Sequence, residues 1–257
     1  MANNDSIKNT IGVAVLLCIV CSVIVSASAV LLRPAQKLNK ELDINKNILM
    51  AAGIYKEGES IPAQFESINI KLIDLETGKF TDTLDVATYD QRKAEKDPAL
   101  SVSLDGAVDV ANISSRERYS KVYLVESSGK LETLILPIRG YGLWSTLRGF
   151  LALDADLTTI KGLGYYEHGE TPGLGGEVDN PKWKAVWVDK KAYDPSGDVA
   201  ISVIKGHVKA DTANAEYKVD GLSGATLTSQ GVDNMMKFWL GENGFGPFIT
   251  QLKNGGA

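Results

Sequence analysis

Beyond Cys21 the chain contains no cysteine, and in all of its 257 residues it has two histidines, His168 and His207. A cysteine-free stretch of that length suits an oxidising compartment. No nucleophile–base pair stands out that would support covalent catalysis. Basic charge is scarce as well: the net charge is −5 and no basic patch recurs, which excludes a nucleic-acid binder. No glycine-rich fingerprint opens a helix after a strand, so the chain shows no dinucleotide site of its own. Tandem repeats and low-complexity tracts are absent. What remains is an ordinary folded composition, 44% hydrophobic and 23% charged, with room for one or two domains.

One long apolar run is present. Ile11 to Leu32, 22 residues, carries no formal charge and is bracketed by Lys8 and Arg33. A helix needs about 20 such residues to cross a bilayer core. The competing reading is a signal peptide, with Lys8 as its basic end and Ala27-Ser28-Ala29 as its cleavage site. The run stays apolar through Val30, Leu31 and Leu32, past the point where a signal turns polar. We therefore read an uncleaved anchor over 11–32, with 1–10 before it and one domain over 33–257 after it. Arg33, Lys37 and Lys40 favour keeping that domain inside the cell, although long domains translocate largely regardless of charge. Cys18 and Cys21 have the spacing of a redox or metal pair, but within the anchor they read as two small apolar side chains.

The spacing of Leu38, Leu42, Asn45, Leu49 and Ala52 predicts a helix over 36–55, continuing from the anchor and stopped by Gly53. Ser67–Asp74 alternates as a half-buried strand does. The segment Asp90–Asp97, ended by Pro98, reads as a solvated surface element. Lys121–Glu126 and Leu131–Leu136 flank Ser127-Ser128-Gly129-Lys130 and predict a hairpin. Gly149–Asp154, Ile160–Tyr166 and Val199–Ile204 read as further strands, and Asn180-Pro181 opens a short helix carrying Trp183 and Trp187. Val232, Met235, Met236, Trp239 and Leu240 mark the buried face of a longer helix. Mostly hairpin-connected strands with flanking helices define an α+β domain with a mixed or antiparallel sheet.

Three stretches interrupt these patterns with glycine and aromatic residues: Arg139–Trp144, His168–Gly176 and Asp220–Ser229. Glycine lets backbone approach a ligand closely, and Tyr141 and Trp144 offer flat apolar surface for a planar ring. The third stretch places Ser223, Thr226, Thr228 and Ser229 where the helix begins. Its plain reading is an N-cap. Its sharper reading is a helix start that holds a phosphate, or bonds one to a threonine hydroxyl.

The anchor, Gly140-Tyr-Gly-Leu-Trp144, Glu170-Thr-Pro-Gly-Leu-Gly175 and Asp220-Gly-Leu-Ser-Gly-Ala-Thr226 occur in the order seen in the C subunit of the Na⁺-translocating NADH:quinone reductases. The chain resembles that family over essentially its whole length, including Asn45–Gly53. The resemblance implies FMN attached through a phosphoester to the last residue of Ser223-Gly224-Ala225-Thr226. A separate flavin transferase would make that bond from FAD on the exported face, which places the domain in the periplasm and the N-terminus in the cytoplasm. The flavin ring would lie among Tyr141, Trp144, Leu174 and Gly175, with Thr171 as a hydrogen-bond donor. The resemblance further implies an electron-transfer subunit of a six-subunit sodium pump in the bacterial inner membrane. It would pass electrons from an iron–sulfur centre, held by the small membrane subunits, towards the FMN of the B subunit.

The residues are compatible with this chemistry. A phosphoester needs a hydroxyl, and the domain has no thiol for a thioether. By chemistry alone Thr228 and Ser229 remain acceptors too; the resemblance selects Thr226. Asp220 reads as a turn-former or as part of the transferase's recognition sequence. The G subunit of the related Rnf electron-transport complex is the nearest alternative. A membrane-anchored binding module without a redox cofactor is the alternative of a different class.

Overall fold

The computed structural model describes residues 6–255, so positions 1–5 of the expected 1–10 segment lie outside it. The chain separates after Ile44 into two compact units. The first is made of helix α1 (Ile7–Ala51), whose remaining turns belong to the second. Its apolar span is exposed and is long and apolar enough to cross a membrane. Within that span the Ser22 hydroxyl donates to the Cys18 carbonyl at 2.6 Å, so its polar group is satisfied inside the helix. Pro34 lies within α1, and the helix expected over 36–55 is the continuation of this same helix. It ends at Ala51, and Gly53 follows with φ +71° while the Ile54 and Tyr55 amides return to the Leu49 carbonyl.

In the second unit a short helix α2 (Ile61–Phe65) leads into β1 (Ile68–Asp74) and its hairpin partner β2 (Lys79–Phe80). After α3 (Gln91–Ala94) and the small pair β3 (Ser101–Ser103) and β4 (Ser115–Glu117), three long hairpins build the sheet. Their strands are β5 (Tyr119–Ser127), β6 (Lys130–Tyr141), β7 (Thr146–Asp154) and β8 (Ile160–Glu167). The sheet order is β2-β1-β5-β6-β7-β8, with every neighbour antiparallel. The expected hairpin is β5–β6; Ser128 and Gly129 both have positive φ, the twist a two-residue turn needs between right-twisted strands.

Helix α4 (Pro181–Ala185) starts where Asn180 accepts the Lys182 amide, and Trp183 packs edge-on against Trp187 at 5.6 Å. The expected strand 199–204 shrinks to β9 (Ser202–Val203), paired in parallel with β10 (Lys218–Val219). The cause is local: the Ala192 carbonyl takes both the Ala200 and Ile201 amides, which turns the chain before a longer ladder can form. Helix α5 (Thr226–Leu240) buries Val232, Met235, Met236, Trp239 and Leu240, the face read from their spacing. It lies across one sheet face, where the Trp239 indole donates to the Arg139 carbonyl at 2.6 Å. Helix α6 (Gly246–Lys253) closes the same core with Phe248 and Ile249.

The 90–97 segment is a solvated element only in part: Asp90, Lys93, Lys96 and Asp97 are exposed, but the others are tied into the domain. Asp90 caps α3, Gln91 bonds Glu117 and Ser120, and Glu95 is buried between two guanidinium groups. Arg148 grips both Glu95 oxygens at 2.8 and 2.7 Å, and Arg139 Nε stands 3.3 Å from Oε1. A charge-dense octapeptide looks the same in sequence whether its charges meet water or partners from a distant hairpin. Replacing Glu95 by Ala strips Arg148 of its two-point partner and leaves Arg139 with Glu117 alone, and should cost about 3–5 kcal/mol in chemical denaturation. Lys93→Ala, at an exposed position three residues from its surface partner Asp90, should change stability by less than about 0.5 kcal/mol.

Candidate functional site

The three glycine stretches meet at the end of the β6–β7 hairpin. The hinge between them is Glu170, which is buried. Its Oε1 accepts the backbone N–H groups of Leu143, Trp144 and Ser145 at 3.1, 2.9 and 3.2 Å. Its Oε2 accepts the Thr228 hydroxyl at 2.8 Å, joining the hairpin turn to the first turns of α5. Ser145 Oγ accepts the Gly169 amide at 2.6 Å and ties the same two loops a second time. Burial by itself would raise the Glu170 carboxyl; the bonds from Trp144, Thr228, Leu143 and Ser145 outweigh it and hold the group below the ordinary carboxylate range. Gly175 closes the packing, since a Cβ there would sit 2.5 Å from Thr228 Oγ1 and 2.6 Å from Glu170 Oε2.

The start of α5 is not capped by any of its hydroxyls. Ala225 occupies the N-cap position without a side-chain bond, and the first returning amide is that of Ser229, to the Ala225 carbonyl. The amides of Thr226, Leu227 and Thr228 thus have no acceptor among the described residues. Ser229 Oγ is buried, accepting the Leu222 amide and donating to the Ala225 carbonyl. Thr228 is 1% exposed and its hydroxyl is held by Glu170. Thr226 and Ser223, by contrast, are exposed, and their hydroxyls have no partner among the described residues. Thr226 also borders a cavity of about 200 Å³ lined by Lys205, Gly206 and Gln230.

Gly224 has φ +72°, and a Cβ there would meet Leu174 Cδ2 at 3.0 Å, so the turn before α5 lies against the 168–176 loop. Leu174, Trp144 and Leu227 are exposed at 44%, 66% and 56%, a large apolar surface for residues so close to free amides. Thr171 is exposed on the same loop. The arrangement suits a phosphate-bearing cofactor with a planar ring: an accessible hydroxyl, unpartnered amides at a helix start, and uncovered apolar side chains beside them. Tyr141 is placed differently. It pairs with Thr146, shares its sheet face with Arg139 and Arg148, and lines a second cavity with them.

Asp220 fixes the loop preceding the motif. Its Oδ1 accepts the Val208 amide at 2.8 Å, its Oδ2 meets His207 Nδ1 at 2.7 Å, and its carbonyl accepts the Trp183 indole. Burial tends to raise the Asp220 carboxyl, and the Val208 and His207 bonds more than reverse that. These bonds tie the 207–208 loop to the motif rather than shaping the turn itself. His168 accepts the Glu170 amide on Nδ1 and meets Asp179 through Nε2, a structural role.

Sequence reasoning missed Glu170 and Thr228 as partners. The available signal was that Glu170 is the only acidic residue in the 168–176 loop.

The fold and the site together define a flavoprotein domain behind an N-terminal membrane anchor: residues 142–241 match the FMN-binding domain family. The C subunit of the Na(+)-translocating NADH-quinone reductase of Pseudomonas aeruginosa is 56% identical over the whole of both chains. The same protein from Vibrio vulnificus is 49% identical, over 100% of this chain and 99% of that one. The crystal structure of Shewanella oneidensis NqrC superposes with a TM-score of 0.76 at 37% identity, covering 84% of this chain and 99% of that one. The crystal structure of the C subunit from Parabacteroides distasonis gives a TM-score of 0.65 at 27% identity, covering 85% and 97%. The chain belongs to the C-subunit family of the Na(+)-translocating NADH-quinone reductases, and so to an oxidoreductase complex rather than to a cofactor-free binding module.

The depressed Glu170 carboxyl contributes stability that is present above its unfolded value and lost as pH falls through the folded one. Unfolding free energy should therefore drop as pH falls from about 5 to below 4, and Glu170→Gln should flatten part of that fall. Glu170→Ala, which leaves three turn amides and the Thr228 hydroxyl without their acceptor, should cost about 1–3 kcal/mol at pH 7 by urea titration.

Proposed function

We propose that this chain carries FMN in phosphoester linkage to Thr226 and relays electrons within the sodium-translocating complex. The observation that carries the reading is the state of the motif's threonines: the Thr226 hydroxyl is exposed and unpartnered, while that of Thr228 is buried against Glu170. Ser229 is likewise withdrawn into the turn. Ser223 is accessible but precedes the helix start; Gly224 and Ala225 shape the turn that delivers Thr226.

In the attachment the Thr226 oxygen bonds to the FMN phosphorus of FAD, the anhydride bond to the adenylate breaks, AMP leaves, and the hydroxyl proton passes to solvent. A separate flavin transferase provides this step. The free amides of Thr226, Leu227 and Thr228 would hold the remaining phosphate charge. Trp144, Leu174 and Thr171 would cover the ring, with Gly175 packed beneath them and Tyr141 at the other side of the hairpin end. When bound, FMN accepts and gives up electrons; the protein's part is to fix its distance from donor and acceptor and to tune its potential.

In this reading 11–32 spans the inner membrane, 1–10 is cytoplasmic and 33–257 is periplasmic. Electrons arrive from an iron–sulfur centre held with the small membrane subunits and leave towards the FMN of the B subunit, coupled to sodium export. NADH binds elsewhere in the complex.

The test is co-production of the full chain with a flavin transferase and FAD, followed by acid denaturation and in-gel flavin fluorescence. The native chain should fluoresce, Thr226→Leu should be dark, and Thr228→Leu should stay fluorescent though less stable. A dark native band beside an active transferase overturns the flavin assignment, and loss of signal in Thr228→Leu alone moves the acceptor.

A further inference from the structure

The sheet face opposite Gly140 carries a second cavity, with Tyr141 in its lining. Side chains alternate along a strand, so Arg139 and Tyr141 share one face while Gly140 lies on the other, against Met235 of α5. Across the ladder Arg139 pairs with Arg148 and Tyr141 with Thr146. With Glu95, Lys96 and residues 112–115 these four side chains line a cavity of about 350 Å³.

The lining has one carboxylate, and it is fully engaged: Arg148 holds both Glu95 oxygens and Arg139 Nε stands 3.3 Å from one of them. Arg139, its side chain 7% exposed, gives Nη2 to the Ser115 carbonyl at 2.7 Å and to Glu117 at 2.9 Å. Its Nη1 has no acceptor among the described residues. Lys96 is exposed and makes no ion pair among them, and the hydroxyls of Ser114, Tyr141 and Thr146 make no hydrogen bond among them. Arg139 is also paired with Glu117 and Arg148 stands 4.0 Å from Glu167, so Lys96 is the lining cation without an ion pair among the described residues, and every free group in the cavity can donate. A buried guanidinium with an open N–H edge is costly unless an acceptor meets it, and planar oxyanions meet that edge best.

We propose that this cavity binds a small oxyanion, with a carboxylate or phosphate group held by Arg139 Nη1 and Lys96 and bonded by the Ser114 and Thr146 hydroxyls. Such a ligand bridges the end of the β6–β7 hairpin to the 112–115 segment. Its binding stiffens the strand ends from which the Glu170-held turn departs.

The experiment titrates the detergent-solubilised full chain with inorganic phosphate and with malonate, each against chloride at matched ionic strength, by calorimetry and thermal unfolding. One saturable site and a rise in Tm with phosphate or malonate, absent with chloride, are expected; the tighter of the two identifies the anion class. Lys96→Glu and Thr146→Val should leave the ligand-free Tm near that of the native chain. Lys96→Glu should weaken binding about tenfold, the scale of reversing one partly screened charge. The flavin-free Thr226→Leu chain should bind as the native chain does. Binding no stronger than chloride, binding unchanged by both cavity substitutions, or binding lost in Thr226→Leu would each overturn the proposal.

Discussion

Glu170 Oε1 receives three consecutive amides of the β6–β7 turn while Oε2 receives the hydroxyl of Thr228, 58 residues further along the chain. A carboxylate that accepts four hydrogen bonds is well satisfied away from water, and each donor it takes is a group that would otherwise be left wanting. The bond to Thr228 sets where α5 begins relative to the hairpin. The amide bonds, with the Gly142 amide bonded to the Ser145 carbonyl, hold Trp144 at the surface. The remaining features of the site, from the Leu174–Gly224 contact to the open amides of α5, depend on that placement.

The withdrawal of hydroxyls at the helix start is as informative as the exposure of one. A Ser/Thr-rich segment before an apolar helix ordinarily uses a side-chain oxygen for capping. Here Thr228 turns to Glu170 and Ser229 back to the turn, so the first amides and the Thr226 hydroxyl are left together at the surface. For a member of the C-subunit family this converts a generic capping signature into an attachment point with its own anion-favouring environment. The Arg139–Glu95–Arg148 cluster, with Glu117 as a second carboxylate on Arg139, is a second polar system, on the opposite sheet face.

Much of the architecture was legible in residue order. The apolar run, the buried face of α5, the β5–β6 hairpin and the strands now seen as β7 and β8 each carry a local period that few alternatives share. The 90–97 segment and the 199–204 stretch did not yield to the same reading. Charge density does not reveal whether Arg148, 53 positions away, folds over Glu95, and alternation does not reveal that two amides converge on Ala192. Glu170 stood inside a quoted motif without showing its role, because acidic residues in glycine loops are common and its donors come from other segments.

By itself the sequence determined the anchor, the α+β class, the family and the short list of hydroxyls that could take a phosphate, since each rests on local composition or on motif order. The tertiary structure alone decided which of those hydroxyls is free. It also decided that Tyr141 faces Arg139 and Arg148, and that Glu170 joins the hairpin turn to α5. Hydroxyl burial, strand facing and carboxylate partnering are set by which distant segments meet, and no local pattern encodes that meeting.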